Sequence, residues 1–270
     1  MNQVSQIYDQ LFEFEKEKKS GEAYPIHKKL DFQKLEGAEG LEDITEFIFK
    51  LFPEGECLRI LDAGCGVGYS LTQICSGTQH WGLGISLSKK ELAKAREIRE
   101  QNELGNKLAF RELSFDDELG GTFDVILAME SLKHAPSWRN SYRNLAEHLK
   151  VGGHFFVLED YAGPHLPQKI AHRFQELWSV PELYTEKEFL SESQKHAFKL
   201  IKSYDLDQAL APKSAFLSRL LANLVGLLTA FGSRAKWRHL LRIYEGGLWM
   251  DYLYAKGHFR YRLFQFEKQG

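Results

Sequence analysis

Three glycines at alternate positions, Gly64, Gly66 and Gly68, follow an acidic residue, Asp62, at the end of a short apolar run. The stretch 58–70 reads LRILDAGCGVGYS, and its apolar part is typical of a buried strand. Glycine has no Cβ, so a backbone built from it turns sharply and lets a ligand approach closely. The spacing therefore predicts a strand, a glycine turn and a helix that bind a nucleotide-type ligand. A tight turn without a ligand is the alternative.

The turn departs from the dinucleotide-binding fingerprint, since a third small residue is expected at position 69 and Tyr69 stands there. The stretch from the strand through Asp62 to GCGVG at 64–68 resembles motif I of the class I S-adenosylmethionine-dependent methyltransferases. The resemblance extends to about Asp205. It implies a doubly wound, seven-stranded Rossmann-like α/β sheet. S-adenosylmethionine is then the cofactor and S-adenosylhomocysteine the product. The cofactor-binding residues implied in this turn are Asp62, Gly64, Cys65, Gly66 and Gly68.

The next apolar run, HWGLGISLSKKELAKARE at 80–97, resembles the second-strand region of small-molecule methyltransferases of the tocopherol, sterol and sugar O-methyltransferase type. Many nucleotide-binding folds end that strand with an acid that accepts hydrogen bonds from the ribose hydroxyls. Ile85 and Ser86 fill the place here, and a hydroxyl accepts less strongly than a carboxylate. We expect both residues to contact the cofactor and Ser88 to cap the following helix.

The region 110–136 resembles the part of these enzymes in which an acid after the third strand meets adenine. Ser114 stands where Asp is usual, and Phe115 follows it. The resemblance implies that Phe115 packs on the adenine face and that Ser114 or Asp116 accepts from the adenine amino group. A helix-capping role for Asp116 is an equal alternative.

The segment MESLKHAP at 129–136 places Glu130 and His134 after an apolar strand. In sugar and natural-product O-methyltransferases, which it resembles, the E-S-x-x-H pattern brings the histidine to the acceptor pocket, and the glutamate lies near the methionine end of the cofactor. Methyl transfer to a hydroxyl is helped when the acceptor loses its proton, and an imidazole with a pKa of about 6.5 can take it. His134 is the candidate general base, and an exposed histidine at a helix start is the alternative.

Asp160, in FFVLEDYAGP at 155–164, matches an acid in the same relatives. The fourth and fifth strands of this fold are neighbours, roughly 4.8 Å apart, and ligands bind beyond their carboxyl ends. His134 and Asp160 are therefore expected to converge on one pocket, where Asp160 orients the imidazole or binds the acceptor. Glu159 in that role, or loop capping by either acid, is the alternative. Residues 24–27, YPIH, are either a flap over the cofactor or an ordinary loop.

Apolar runs alternate with helical patterns along the chain, which is typical of βαβ units around a parallel sheet. The S/T-x-x-E spacing after Ser88 and Thr185 predicts two helix starts. The glycines of KVGG at 150–153 are expected to end a helix. Strands are predicted at 58–63, 80–85, 107–112, 123–129, 154–159, 200–205 and 261–267.

A chain of 270 residues is long enough for one large α/β domain with an insertion. We expect an N-terminal helical flap region at 1–50, a cofactor-binding core at 51–206 and 250–270, and a helical cap at 207–249 that defines the acceptor pocket together with 164–183.

The segment 214–231, SAFLSRLLANLVGLLTAF, has leucines at helical spacing and predicts a strongly apolar helix. It is shorter than the roughly 20 residues that a membrane span needs, and it contains Arg219. Packing inside the cap is favoured over a lid on the substrate, and a dimer interface is the third possibility.

Net charge and residue usage argue against a nucleic-acid partner, a metal site and a disulfide framework. A formal net charge of -2 gives no basic footprint, so a nucleic-acid partner is not expected. The three cysteines, at 57, 65 and 75, fit neither a zinc site nor a disulfide framework, and the histidines lack metal-ligand spacing, so we predict no catalytic metal. The polar N-terminal stretch predicts a cytoplasmic protein without stable membrane insertion, in which a homodimer is possible.

These patterns predict methyl transfer from S-adenosylmethionine to a small, partly apolar acceptor, at the oxygen of a natural-product or metabolite hydroxyl. MESLKHAP also resembles the E-x-x-x-H-A-P segment of sterol C-methyltransferases, in which carboxylates or aromatic faces stabilise a carbocation. C-methylation of an isoprenoid is therefore the second hypothesis. A cyclase that binds the cofactor without methyl transfer, and a degenerate fold that binds a partner, are the hypotheses from other classes.

Overall fold

A seven-stranded sheet forms the centre of the computed structural model, which describes residue 9 and residues 28–211, 214–231 and 235–270. The strand order is β3-β2-β1-β4-β5-β7-β6, with β1 to β5 parallel and β7 antiparallel to both β5 and β6. The strands are β1 (Arg59–Ala63), β2 (Trp81–Ser86), β3 (Leu108–Glu112), β4 (Phe123–Met129), β5 (Leu149–Ala162), β6 (Phe198–Asp205) and β7 (Phe259–Lys268). The predicted doubly wound methyltransferase sheet is confirmed.

Helices alternate with β1, β2 and β3, whereas a loop without a helix connects β3 to β4. They are α1 (Ile44–Lys50), α2 (Tyr69–Cys75), α3 (Lys89–Gln101), α4 (Trp138–Glu147), α5 (Gln168–Trp178), α6 (Glu186–Lys195), α7 (Ala215–Phe231) and α8 (Ala235–Ala255). The predicted start of α6 is confirmed, with a complete capping box between Thr185 and Glu188. Helix α3 also starts as predicted, since Ser88 Oγ accepts from the Glu91 N–H, but the Glu91 carboxylate bonds Ser86.

The expectation that residues 150–153 end a helix is wrong. Helix α4 ends at Glu147, and β5 has already begun at Leu149. Gly152, with φ of 75°, lies inside β5, where the pairing with β4 shifts register. The glycine is needed for this irregularity in the strand and not for a helix end, because a left-handed residue accommodates the extra residue of a bulge.

Each face of the sheet is covered by its own apolar layer, because successive strand residues point to opposite faces. Ile60 packs in the layer with α1, α2 and α3, and Leu61 packs in the layer with α4 and α6. A third cluster joins α5, α7, α8 and the start of β7, and its rings include Phe174 and Phe259, edge to face at 5.0 Å. The cap helices therefore have an apolar core of their own beside the sheet.

Helix α7 forms where the leucine spacing predicts it, but its large apolar side chains do not pack in the cap. Leu220 and Leu224 keep 54% and 52% of their surface exposed, and Leu217 and Leu228 are similar. The favoured expectation of simple packing is therefore wrong for these leucines. Across the part of the chain that the structure describes, no helix is both long enough and apolar enough to cross a membrane.

Candidate active site

The glycine turn lies between the carboxyl ends of β1 and β2 and is fixed by hydrogen bonds to both neighbours. Gly64 and Cys65 each donate a backbone N–H to the Ile85 carbonyl, at 3.0 Å. Ser131 Oγ donates to the Ala63 carbonyl at 2.6 Å, which attaches the residue after Glu130 to the end of β1. The turn, the end of β2 and the segment after β4 therefore form one edge of the site.

The three glycines have left-handed φ angles, 93° at Gly64, 51° at Gly66 and 75° at Gly68, but they are needed for different reasons. A Cβ on Gly64 would collide with Ser131, and one on Gly68 would collide with Phe110, so both glycines allow close packing. A Cβ on Gly66 would meet only Glu91 Oε1, at 4.0 Å, among the described residues. Gly66 is therefore where the backbone is open to a ligand.

Glu91, in the first turn of α3, supplies the buried acid that the end of β2 lacks. Its carboxylate accepts from Ser86 Oγ at 2.9 Å. Burial raises the pKa of Glu91 to about 7, against the hydrogen bond from Ser86 that lowers it. Burial also raises the pKa of the adjacent Cys65 thiol, with Asp62 and Glu91 adding to the shift. The sequence pattern had indicated Glu91 only as a helix-capping residue.

The loop after β3 is held against α4 and places Phe115 at the glycine turn. The ring of Phe115 lies 3.7 Å from the position that a Cβ on Gly64 would take. Asp116 Oδ1 accepts from Ser141 Oγ of α4 at 2.7 Å, and the Ser114 hydroxyl accepts from the Asp116 N–H at 3.3 Å. Phe115 is therefore close enough to form a wall of a ligand site, and one oxygen of Asp116 already has a partner in α4.

A buried ionic cluster lies at the carboxyl ends of β4 and β5. Lys133 Nζ lies 2.9 Å from Glu159 Oε1 and 2.6 Å from Asp160 Oδ2, and its backbone N–H donates to Glu159. Both carboxylates are almost fully buried. Lys133 belongs to the segment MESLKHAP, whose pattern predicts site roles for Glu130 and His134 but not for Lys133.

A second lysine, Lys28, joins this cluster from before the first strand. Its ammonium contacts Glu130 and lies 2.7 Å from Asp160 Oδ1. It also lies over the aromatic ring of Tyr261 of β7, 4.3 Å from the ring centre, and the Tyr254 hydroxyl at the end of α8 donates to Asp160. Glu130 has a left-handed φ of 53°, which is strained for a residue other than glycine and is common at functional sites.

The charges in the cluster set which carboxyl holds a proton. Burial opposes ionisation of Asp160, but Lys133 and Lys28 outweigh it and hold the pKa of Asp160 below its ordinary value. Burial raises the pKa of Glu159 in spite of Lys133. Asp160 is therefore the carboxylate that stays ionised, and Glu159 is the one that is more easily protonated. Burial also raises the pKa of Tyr254, so its phenol stays protonated and donates to Asp160.

His134 lies in a short 3-10 helix, Leu132–His134, and is buried, so the alternative of an exposed histidine is wrong. Burial, with a smaller contribution from Lys133, lowers the pKa of His134 to about 3, against a hydrogen bond to the Ser179 backbone that raises it. The imidazole is thus neutral at pH 7, and its protonated form is strongly disfavoured. Its role as general base stays a prediction. Residues 24–27, the predicted flap, lie outside the described residues.

A family model described as a methyltransferase domain matches residues 27–211, more than half of the chain. The chain belongs to this methyltransferase family. Both the class I methyltransferase predicted from the sequence and its cofactor, S-adenosylmethionine, are therefore confirmed at the level of the family. The matched range contains the glycine turn, Glu91 and the cluster around Asp160, and it ends before α7.

Relatives with curated descriptions differ in the atom that they methylate. The chain is 27% identical to O-methyltransferase resE of Aspergillus sclerotiorum over 174 residues, which cover 62% of this chain and 65% of that protein. It is 29% identical to sterol 24-C-methyltransferase of Kluyveromyces lactis over 159 residues, 54% of this chain and 42% of that protein. The chain thus spans less than two thirds of the length of either relative.

The solved structure of the 4+2 cyclase SpnF is similar over nearly the whole chain. The TM-score is 0.75 at 18% sequence identity, with 99% of this chain and 96% of that chain covered. At this identity the likeness concerns the fold alone, and it extends to the cap helices that lie outside the family match.

Proposed function

We propose that the protein transfers a methyl group from S-adenosylmethionine to the oxygen of a small, partly apolar acceptor. The observation that carries this proposal is the ionised, buried carboxylate of Asp160, since it can accept a hydrogen bond from an acceptor hydroxyl and orient the hydroxyl oxygen towards the methyl group. The similarity to an O-methyltransferase over 62% of the chain supports methylation at oxygen.

The residues around the glycine turn fit the cofactor, which supplies the methyl group when it is bound. The open backbone at Gly66 accepts close approach of the ligand, and Phe115 offers an aromatic wall for adenine. Glu91 and Ser86 take the role of the strand-end acid that accepts from ribose hydroxyls in nucleotide-binding folds. Glu130 lies between this turn and the ionic cluster, as expected for a residue at the methionine end.

We assign orientation of the acceptor hydroxyl to Asp160, and the role of strong base to neither Asp160 nor His134, because Lys133 and Lys28 hold the pKa of Asp160 below its ordinary value. A group whose pKa is about 3 is a weak proton acceptor at neutral pH, because transfer to it is uphill by several kcal/mol relative to a base of pKa near 7. Asp160 is ionised, accepts from the Tyr254 hydroxyl and lies beside the Lys28 ammonium, and these contacts fix the position of its carboxylate. The contact of His134 that the structure shows is its hydrogen bond to the Ser179 backbone after α5.

C-methylation of an isoprenoid-like alkene is the second candidate, and a specific feature favours it. The Lys28 ammonium is held by Glu130 and Asp160 over the face of Tyr261, so this place stabilises a positive charge. A carbocation that develops in an alkene acceptor has the same requirement. The sterol C-methyltransferase that is 29% identical to this chain supports that candidate.

The test is transfer of labelled methyl groups from S-adenosylmethionine to panels of phenols, alcohols and isoprenoid alkenes, with Asp160→Asn and His134→Asn compared on the best acceptor. For a hydroxyl acceptor we expect Asp160→Asn to lower kcat by roughly 10²-fold or more and His134→Asn to lower it far less. Loss of turnover in His134→Asn alone, with cofactor affinity intact, would return the base role to His134. Turnover of alkenes alone would establish C-methylation.

A further inference from the structure

Helix α7 is packed with its small side chains inward and its large apolar side chains outward. Its buried positions are Ser218, Ala222 and Thr229, spaced along one face. Gly226 lies on the same side, where a Cβ would meet Glu245 Oε1 of α8 at 3.2 Å. Small residues let α7 approach α8 closely, so the cap core is complete without the leucines. The exposed large side chains are Phe216, Leu217, Leu220, Leu224, Leu227 and Leu228.

The sequence segment that carries this face has charged residues of one sign only. Residues 208–244 contain six of the 35 Lys and Arg residues of the chain and none of its 37 Asp and Glu residues, although the whole chain has a net charge of -2. Arg219 of α7 and Arg238 of α8 are exposed. An apolar helix face flanked by basic side chains has the composition of helices that lie in the plane of an anionic membrane surface.

We propose that the α7–α8 hairpin docks on the surface of an anionic lipid bilayer, with the leucine face of α7 in the interfacial region and the basic residues at the headgroups. The exposed leucines supply the apolar burial, and each basic residue near the surface adds electrostatic attraction. The helix lies on the membrane and does not span it, in keeping with its length of 17 residues.

The hairpin is connected to the ionic cluster through α8. Tyr254, whose hydroxyl donates to Asp160, belongs to the last turn of α8, the helix on which α7 packs. Docking itself does not depend on whether the acceptor is methylated at oxygen or carbon.

A second copy of the chain fits this face less well than a lipid surface. A two-fold interface brings the same patch of both subunits together. Since residues 208–244 carry no acid, such an interface would bring together two basic segments that hold no negative charge of their own. Anionic headgroups supply that charge.

The experiment is co-sedimentation of the full chain with vesicles of phosphatidylcholine alone and with vesicles of phosphatidylcholine and phosphatidylglycerol in a roughly 7:3 ratio. The first variant combines Leu217→Gln, Leu220→Gln and Leu224→Gln, since these side chains are exposed and glutamine favours helix. We expect it to lower the partition coefficient on anionic vesicles by roughly 10²-fold.

The second variant, Arg219→Gln with Arg238→Gln, should lower the partition coefficient by roughly 10-fold and weaken its dependence on salt. The matched control, Val151→Gln with Leu200→Gln, replaces apolar residues that are exposed elsewhere and should bind as the wild type does. Thermal unfolding reports whether each variant folds.

Two results would overturn the proposal. One is equal binding of the wild type and the leucine variant to anionic vesicles. The other is a wild-type dimer in size-exclusion chromatography with light scattering that the leucine variant converts to a monomer, without vesicle binding by either protein. The second result would assign the face to a copy of the chain.

Discussion

We predict that the ionisation of Glu91 makes cofactor affinity depend on pH in a range where few carboxylates titrate. Its pKa is raised to about 7 because the carboxyl is buried at the glycine turn. Ribose hydroxyls donate best to the ionised form, so binding of S-adenosylhomocysteine should strengthen as pH rises through 7. Glu91→Gln removes the ionisation and keeps a side chain that can bond a hydroxyl.

The size of the effect follows from the pKa. With a pKa of about 7, roughly a tenth of Glu91 is ionised at pH 6 and roughly nine tenths at pH 8. The dissociation constant should therefore fall by about 10-fold between these pH values in the wild type and stay nearly constant in Glu91→Gln. Ser86→Ala removes a hydrogen bond that lowers the pKa, so its transition should move to higher pH.

Titration calorimetry of S-adenosylhomocysteine at pH 6, 7 and 8 measures these constants. Glu97→Gln is the matched control, because Glu97 lies on the same helix and is exposed. Since the folded protein holds the Glu91 proton more tightly than the unfolded chain, the free energy of unfolding without ligand should also fall as pH rises from about 4.5 to about 7. The same pH slope in the wild type and Glu91→Gln would refute the role of this carboxylate.

Two further predictions concern the glycine turn and the ionic cluster. Gly66→Val should abolish cofactor binding in a folded protein, because the added side chain would block the open backbone. The control is Gly77→Val, at a φ of 70° with no atom within 4 Å of its Cβ, which adds similar strain and should keep the affinity. Retained binding by Gly66→Val in calorimetry would exclude the turn as the cofactor site. Lys133→Met leaves Glu159 and Asp160 buried without the cation that they share. Urea denaturation should show a free energy of unfolding lower by about 3–5 kcal/mol at pH 7, with a smaller loss at pH 5. A loss that is independent of pH would show that packing is the cause.

The sequence predicts the sheet because the signals for it are local. The central predicted strands at 58–63 and 123–129 are apolar runs that are buried on both faces, and the glycines at 64–68 can follow a strand only as a turn. The helix starts at Ser88 and Thr185 rest on hydrogen bonds between residues three positions apart. The helix end expected at residues 150–153 failed because a left-handed glycine serves a strand irregularity as well as a helix end.

The ionic cluster could be predicted only in part, because its members come from distant parts of the chain. Asp160 and Glu130 follow apolar strands and stand out in the sequence. Lys28 lies 102 positions from Glu130, and Tyr254 lies 94 positions from Asp160, so only the folded chain brings them together. The low pKa of His134 is likewise a result of tertiary burial, which its neighbours in the sequence do not indicate.

The sequence also did not predict which face of α7 is exposed. Leucine spacing predicts the helix, but it does not indicate which side faces the protein. The signal that could have indicated it is the small-residue face of Ser218, Ala222 and Thr229, together with the lack of acids in residues 208–244.

The most direct test of the central claim is titration calorimetry of the wild-type protein and Gly66→Val with S-adenosylhomocysteine, with NAD as the control ligand. We predict a dissociation constant on the order of micromolar for S-adenosylhomocysteine with the wild type alone, and no binding of NAD. Absence of S-adenosylhomocysteine binding by the folded wild type, or equal binding by Gly66→Val, would contradict the account of the glycine turn as the cofactor site of a methyltransferase.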